Sequence, residues 1–116
     1  MYFFLIFHHN LAFSSIPRDH YPYLIDNVYS RILDLADHGL VLGLEFTGHT
    51  LETIERFRPS YIARLRQLLD AGHCEIIGSS YSQAIFPLIP APVNRWNIAF
   101  GQETYEKILG VKPFVY

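Results

Sequence analysis

Three short apolar runs recur along this chain, and stretches of helical periodicity separate them. Residues 2–7, 40–46 and 74–78 have strand length, and their apolar residues do not alternate with polar ones. Strands that are hydrophobic on both sides belong to parallel sheets, either covered by helices on both faces or closed into a barrel. Such a chain is confined to α/β architectures.

The segments between the runs support this. Leu24, Ile25, Val28, Ile32, Leu33 and Leu35 recur at helical spacing and predict a helix over 21–37, closed by Gly39. Thr50 is placed to cap a short helix over 51–57, which Arg58-Pro59 breaks. Pro59 then starts a helix over 60–70, with Ile62, Leu65, Leu68 and Leu69 facing inward, and Gly72 ends it. Pro92 starts a last helix that runs to Leu109 and stops at Gly110. Residues 112–116 begin a fourth strand. The order is β-α-β-α-β-α-β, in one partial domain over 1–116 that is cut short in or just after that fourth strand.

Half of the residues are hydrophobic and 17% are charged, which is enough apolar material for a core. Net charge is −2 with no basic run, which argues against nucleic acid or an anionic membrane as partner. The apolar opening lacks a basic leader and a small-residue cleavage site, and it is too short to span a bilayer. A single cysteine, Cys74, reads as a small buried hydrophobe in a reducing, cytoplasmic setting. There is no glycine-rich phosphate loop, nucleophile elbow or pair of histidines at ligand spacing. No cofactor and no self-contained metal site are therefore expected.

Candidate site residues gather where strands give way to loops, as ligand-binding groups do in α/β proteins. His8 and His9 end the first strand, one pointing to each side. His8 reads as bonded to a backbone carbonyl, and His9-Asn10 is better placed for a ligand hydroxyl. Glu45 lies inside the second strand. It is either a structural partner of Arg31 or Arg64, or a site residue. Glu75, second in the third strand, is either a buried acid in an ion pair or hydrogen bond, or a carboxylate that grips sugar hydroxyls or tunes a neighbouring catalytic acid. Tyr81-Ser82-Gln83 supplies a ring, a hydroxyl and an amide on a loop stiffened by Pro87 and Pro90. That composition suits a ligand-binding wall. Asn94 reads as the cap of the last helix.

These residues resemble glycoside hydrolase family 57. His9-Asn10-Leu11 stands where that family has His-Gln-Pro, and Gly72-His73-Cys74-Glu75 where it has Gly-Gln-x-Glu. The loop from Tyr81 to Leu88 is similar to its Tyr-x-His-Pro-Ile-x-Pro-Leu segment, with Gln83 at the histidine position and Ala84 at the first proline. The resemblance implies the first half of a (β/α)7 barrel from a retaining α-glucan hydrolase or 4-α-glucanotransferase. It implies an α-glucan or oligosaccharide substrate bound by His9, Glu45, Glu75, Tyr81 and Gln83. The catalytic nucleophile would fall just beyond Tyr116, so no catalytic residue is expected within the chain. Two other readings are a metal-dependent polysaccharide deacetylase of related fold and a non-catalytic α/β binding module. Under the barrel reading, Glu75 and His9 are expected to face one cavity, and Tyr2, Phe4, Ile6, Leu42, Leu44 and Ile76 to be partly exposed on an unclosed interior.

Overall fold

The computed structural model describes residues 4–12 and 14–116. Three parallel strands, β1 (Ile6–His9), β2 (Leu42–Phe46) and β3 (Cys74–Ile77), form one sheet in the order β1-β2-β3. Each strand therefore lies beside its predecessor in sequence, the winding a β/α barrel needs. β1 sits later than the expected run, and Tyr2 lies outside the described residues.

The register decides which residues share a face, because side chains alternate along a strand. Phe7 pairs with Leu44 and Leu44 with Ile76, while His9 pairs with Phe46. All five point to one side, where the helices pack. Ile6, Gly43 and Glu75 form a row on the other side, and His8, Glu45 and Ile77 form the next row. No helix among the described residues covers that second face.

The first crossover is not one regular helix. Tyr21–Leu24 (α1) and Ser30–Asp37 (α2) flank a π-helical turn over Ile25–Tyr29. The wider turn still buries Ile25 and Tyr29 against the sheet. Gly48–Phe57 (α3), Pro59–Asp70 (α4) and Ala91–Leu109 (α5) complete the layer. Leu42, Leu44, Phe46, Leu51, Leu65 and Ile108 are fully buried between sheet and helices. Leu42 and Leu44, expected on the open interior, thus face the helices, and Ile76 is only 3% exposed. The run of apolar residues in β2 concealed its parity: Leu, Leu and Phe share one face, and Gly43 and Glu45 the other. Phe4 and Ile6 are exposed as expected.

Thr47 caps α3, its hydroxyl accepting the Thr50 N–H at 3.2 Å, so the helix begins three residues before the expected start. Residues 112–116 form no strand. Gly78 N–H donates to the Val115 carbonyl at 2.6 Å, and the Tyr116 ring lies where a Gly78 side chain would project. The segment therefore runs past the end of β3 without forming a ladder. Among the described residues no helix is long and apolar enough to cross a membrane.

With no substrate on it, an uncovered sheet face beside Phe4 and Ile6, 87% and 58% exposed, favours self-association. The 116-residue chain is expected to self-associate through its outer strands, seen as a rising sedimentation coefficient with concentration. A compact monomer that melts cooperatively at all concentrations would contradict this.

Candidate functional site

The open face of the sheet carries three titratable side chains close together. His8 and Glu45 occupy paired positions on β1 and β2, and the His8 Nδ1 lies 3.0 Å from the Glu45 Oε2. Glu75 is exposed on β3, one row nearer the amino ends, opposite Gly43. The Ile6 and Ile77 side chains close over the glycine between Ile6 and Glu75, where an added Cβ would stand 3.1 and 3.5 Å from their Cγ1 atoms. The partner of Glu45 is thus His8, not an arginine. Arg64 bonds Asp34 at 2.8 Å and also Asp37, and Arg31 lies 3.3 Å from Asp34, all among the helices.

The two histidines exchange the roles expected of them. His9 is fully buried on the helix-covered face, stacked on Phe46 at 4.2 Å and edge-on to Tyr29 at 4.5 Å. Its Nδ1 lies 3.1 Å from the Phe7 carbonyl, so this nitrogen carries the proton. Its Nε2 has no hydrogen-bond partner among the described residues. Burial lowers the imidazole to about 4, the Phe7 carbonyl partly opposing the shift, and the ring is neutral at pH 7. The expectation that His9 and Glu75 face one cavity therefore fails. They lie on opposite faces of the sheet, and β2 separates their strands.

His9 is the last residue of β1. The next residue, Asn10, donates its side-chain amide to the side-chain Oε1 of Gln83. That bond ties the loop after β1 to the loop after β3 above the carboxyl end of β2. The buried Leu11 follows, its N–H donating to the Thr50 hydroxyl at 3.2 Å.

The loop after β3 is clamped between two helices. Gly48 and His49, opening α3, donate their N–H groups to the Ser80 and Tyr81 carbonyls at 3.1 and 2.9 Å. Tyr81 N–H donates to the Asn97 carbonyl at 2.9 Å, and the Asn97 side chain makes two 2.8 Å bonds with the Ser82 backbone. The buried Tyr105 hydroxyl donates to the Phe46 carbonyl and accepts the Ser79 N–H at 2.8 Å. Such closeness requires glycine on the helices. A Cβ at Gly48 would stand 2.8 Å from the Tyr81 ring, and one at Gly101 2.7 Å from the Ser79 carbonyl oxygen.

This clamp separates the two loop candidates. Gln83 stands with Asn10 at the strand ends. Tyr81 instead turns outward between α3 and α5, where its hydroxyl donates to Glu52 at 2.7 Å and is held above its usual pKa by that carboxylate. Asn94 does not cap α5, which begins at Ala91. Its amide reaches back to the Phe86 and Ile89 carbonyls at 2.8 and 3.1 Å, holding the short turn before the helix.

Sequence reasoning read His8 as bonded to a backbone carbonyl and passed over Glu52 and Tyr105. For His8 a signal existed: counting alternate residues outward from the apolar face of β2 places Glu45 on the other side, with its β1 neighbour. Nothing in the sequence marks Glu52 or Tyr105, whose partners lie far along the chain. Among the described residues, no three His, Cys, Asp or Glu side chains group as metal ligands.

Among solved structures, the chain is similar to a 4-alpha-glucanotransferase from Thermococcus litoralis, with a TM-score of 0.81 at 21% identity. That match covers 95% of this chain but 17% of the solved one. At this identity the likeness establishes the fold alone. A search among curated proteins finds no match. The sequence profile described as Glycosyl hydrolase family 57 matches residues 3–116, nearly the full length, and the chain belongs to that family.

Proposed function

We propose that this chain forms the substrate-binding first part of the catalytic barrel of a retaining α-glucan hydrolase or 4-α-glucanotransferase. The observation that carries the reading is the uncovered sheet face with Glu45 and Glu75 beneath the joined loops of Asn10 and Gln83. Carboxylates on an open sheet face accept hydrogen bonds from paired sugar hydroxyls, and an amide at the rim both donates and accepts. In this reading Glu75 and Glu45 grip hydroxyls, and His8 orients Glu45. Gln83 contacts the glucan at the rim. His9 holds the β1 exit from behind the sheet, and Tyr81 holds the β3 loop to α3. The solved glucanotransferase of similar fold and the family membership support a carbohydrate substrate.

Neither catalytic carboxylate is assigned within the 116 residues. Retaining chemistry needs a nucleophile and an acid/base roughly 5 Å apart across the scissile bond. Glu45 is engaged by His8, and Glu75 sits one row below it on the next strand. The purified chain is therefore expected to be retarded in gels containing glycogen. Glu75→Gln or Glu45→Gln should weaken that retention tenfold or more. It should not turn over an activated α-glucoside. Retention that neither substitution changes would sink the binding site. Turnover abolished by Glu75→Gln would sink the assignment of catalysis elsewhere.

A further inference from the structure

Outside the sheet, a groove of about 400 Å³ runs between α3 and α5, lined by Glu52, Tyr81, Phe100, Glu103, Thr104 and Lys107. Beyond its end the Trp96 ring, which lines a separate hollow with Pro92, Arg95 and Ala99, stacks on Phe100 with centroids 5.8 Å apart and planes 30° from parallel. Trp96, Phe100, Glu103 and Lys107 follow at spacings of four, three and four, so they form one stripe on the helix. The stripe is about 16 Å long at 1.5 Å per residue.

Trp96 is 66% and Phe100 47% exposed, although the inner side of α5 is buried through Tyr105 and Ile108. The two rings sit in line with polar groups. Glu52 and Glu103 offer acceptors, Lys107 offers donors, and Tyr81 is oriented by its bond to Glu52. Two carboxylates repel an anionic ligand. A purely apolar partner would desolvate Glu103 and Lys107 without replacing their hydrogen bonds. Lys107, itself cationic, repels a cation that the rings and carboxylates would otherwise attract. The class that satisfies all of these groups is a neutral polyol with apolar C–H faces and outward hydroxyls.

We propose that the Trp96–Phe100 stack and the α3–α5 groove bind an α-glucan chain at a second site, behind the sheet and separate from Glu45 and Glu75. The choice of α-glucan rests on the function proposed above. The rings carry the sugar faces, while Glu52, Glu103 and Lys107 bond the hydroxyls at one edge. Such a site would hold a long glucan against the outside of the protein while one end occupies the open sheet face.

Trp96 is the sole tryptophan, so its fluorescence reports this site directly. Titrating the full chain with maltoheptaose is expected to shift the emission saturably. Phe100→Ala and, separately, Glu103→Gln should raise the midpoint tenfold or more, with circular dichroism and melting unchanged because both side chains are exposed. Glu75→Gln should leave this titration unchanged even where it weakens glycogen retention. Unmoved emission overturns the proposal. So do midpoints within twofold of the parent for both groove variants, an equal response to cellohexaose, or loss of the shift in Glu75→Gln. A persisting Trp96 shift with retention insensitive to Glu75 supports this site and refutes the sheet-face reading alone.

Discussion

Acidification from pH 7 toward pH 4 is expected to cost the folded chain roughly 3 kcal/mol through one side chain, His9. In the unfolded chain its imidazole takes a proton near 6.5, whereas burial between Tyr29 and Phe46 lowers it to about 4 in the fold. Below pH 6.5 the unfolded state gains a proton that the folded state refuses. Stability is therefore complete above that pH and drains away as pH falls through the window to about 4. The gap of about two and a half units, at about 1.4 kcal/mol each, sets the magnitude. Asp26 and Asp34, held below the usual carboxylate range by Arg58 and Arg64, lose their contribution only at still lower pH. Melting temperatures between pH 6.5 and 4.5 should fall steeply for the parent chain. They should fall far less for His9→Phe, which keeps an aromatic ring in the stack and removes the titrating group. Equal slopes in the two proteins would refute the assignment.

Gly101→Ala should destabilise the chain, against the usual rule for a helix interior. Alanine in place of glycine ordinarily gains about 1 kcal/mol of helix propensity. Here the added methyl would stand 2.7 Å from the Ser79 carbonyl oxygen and 2.9 Å from the Ser80 carbonyl carbon. Both are backbone atoms of a loop tied to α3 and α5, so neither can rotate aside. Overpacking of this kind costs about 1–3 kcal/mol, and shifting the loop would also stretch the Tyr105 bond to the Ser79 N–H. The expected result is a lower denaturation midpoint. Faster exchange of the Tyr81 and Ser82 amides should accompany it. A raised midpoint would show that the loop yields freely.

Most of the architecture could be read from the chain because it follows from local rules. Pro59 and Gly72 bound α4 as expected, and Gly110, in the left-handed conformation at a φ of 70°, ends α5. The family motifs were legible for the same reason, being short and local. What escaped was anything set by strand parity or by distant partners. A uniformly apolar strand does not reveal which side meets the helices, so Leu42, Leu44 and Ile76 were placed on the wrong face. The π-helical turn at Ile25–Tyr29 leaves the helical pattern of its neighbours intact and gives no sign of itself. His9 and Tyr81 were rightly found at strand exits, yet their directions depend on Phe46, Tyr29 and Glu52, which only the folded chain brings near.

The amino end of α3 has a consequence for ligand choice. A helix amino terminus is where proteins commonly seat phosphate, since its free N–H groups and the positive end of the helix dipole favour anions. Here Gly48 and His49 have already donated theirs to the Ser80 and Tyr81 carbonyls, and Thr50 to the Thr47 hydroxyl. The most anion-friendly point at the carboxyl edge of the sheet is closed by the protein's own backbone. An anion arriving there would meet occupied donors and the Glu45 carboxylate rather than a cradle of free N–H groups.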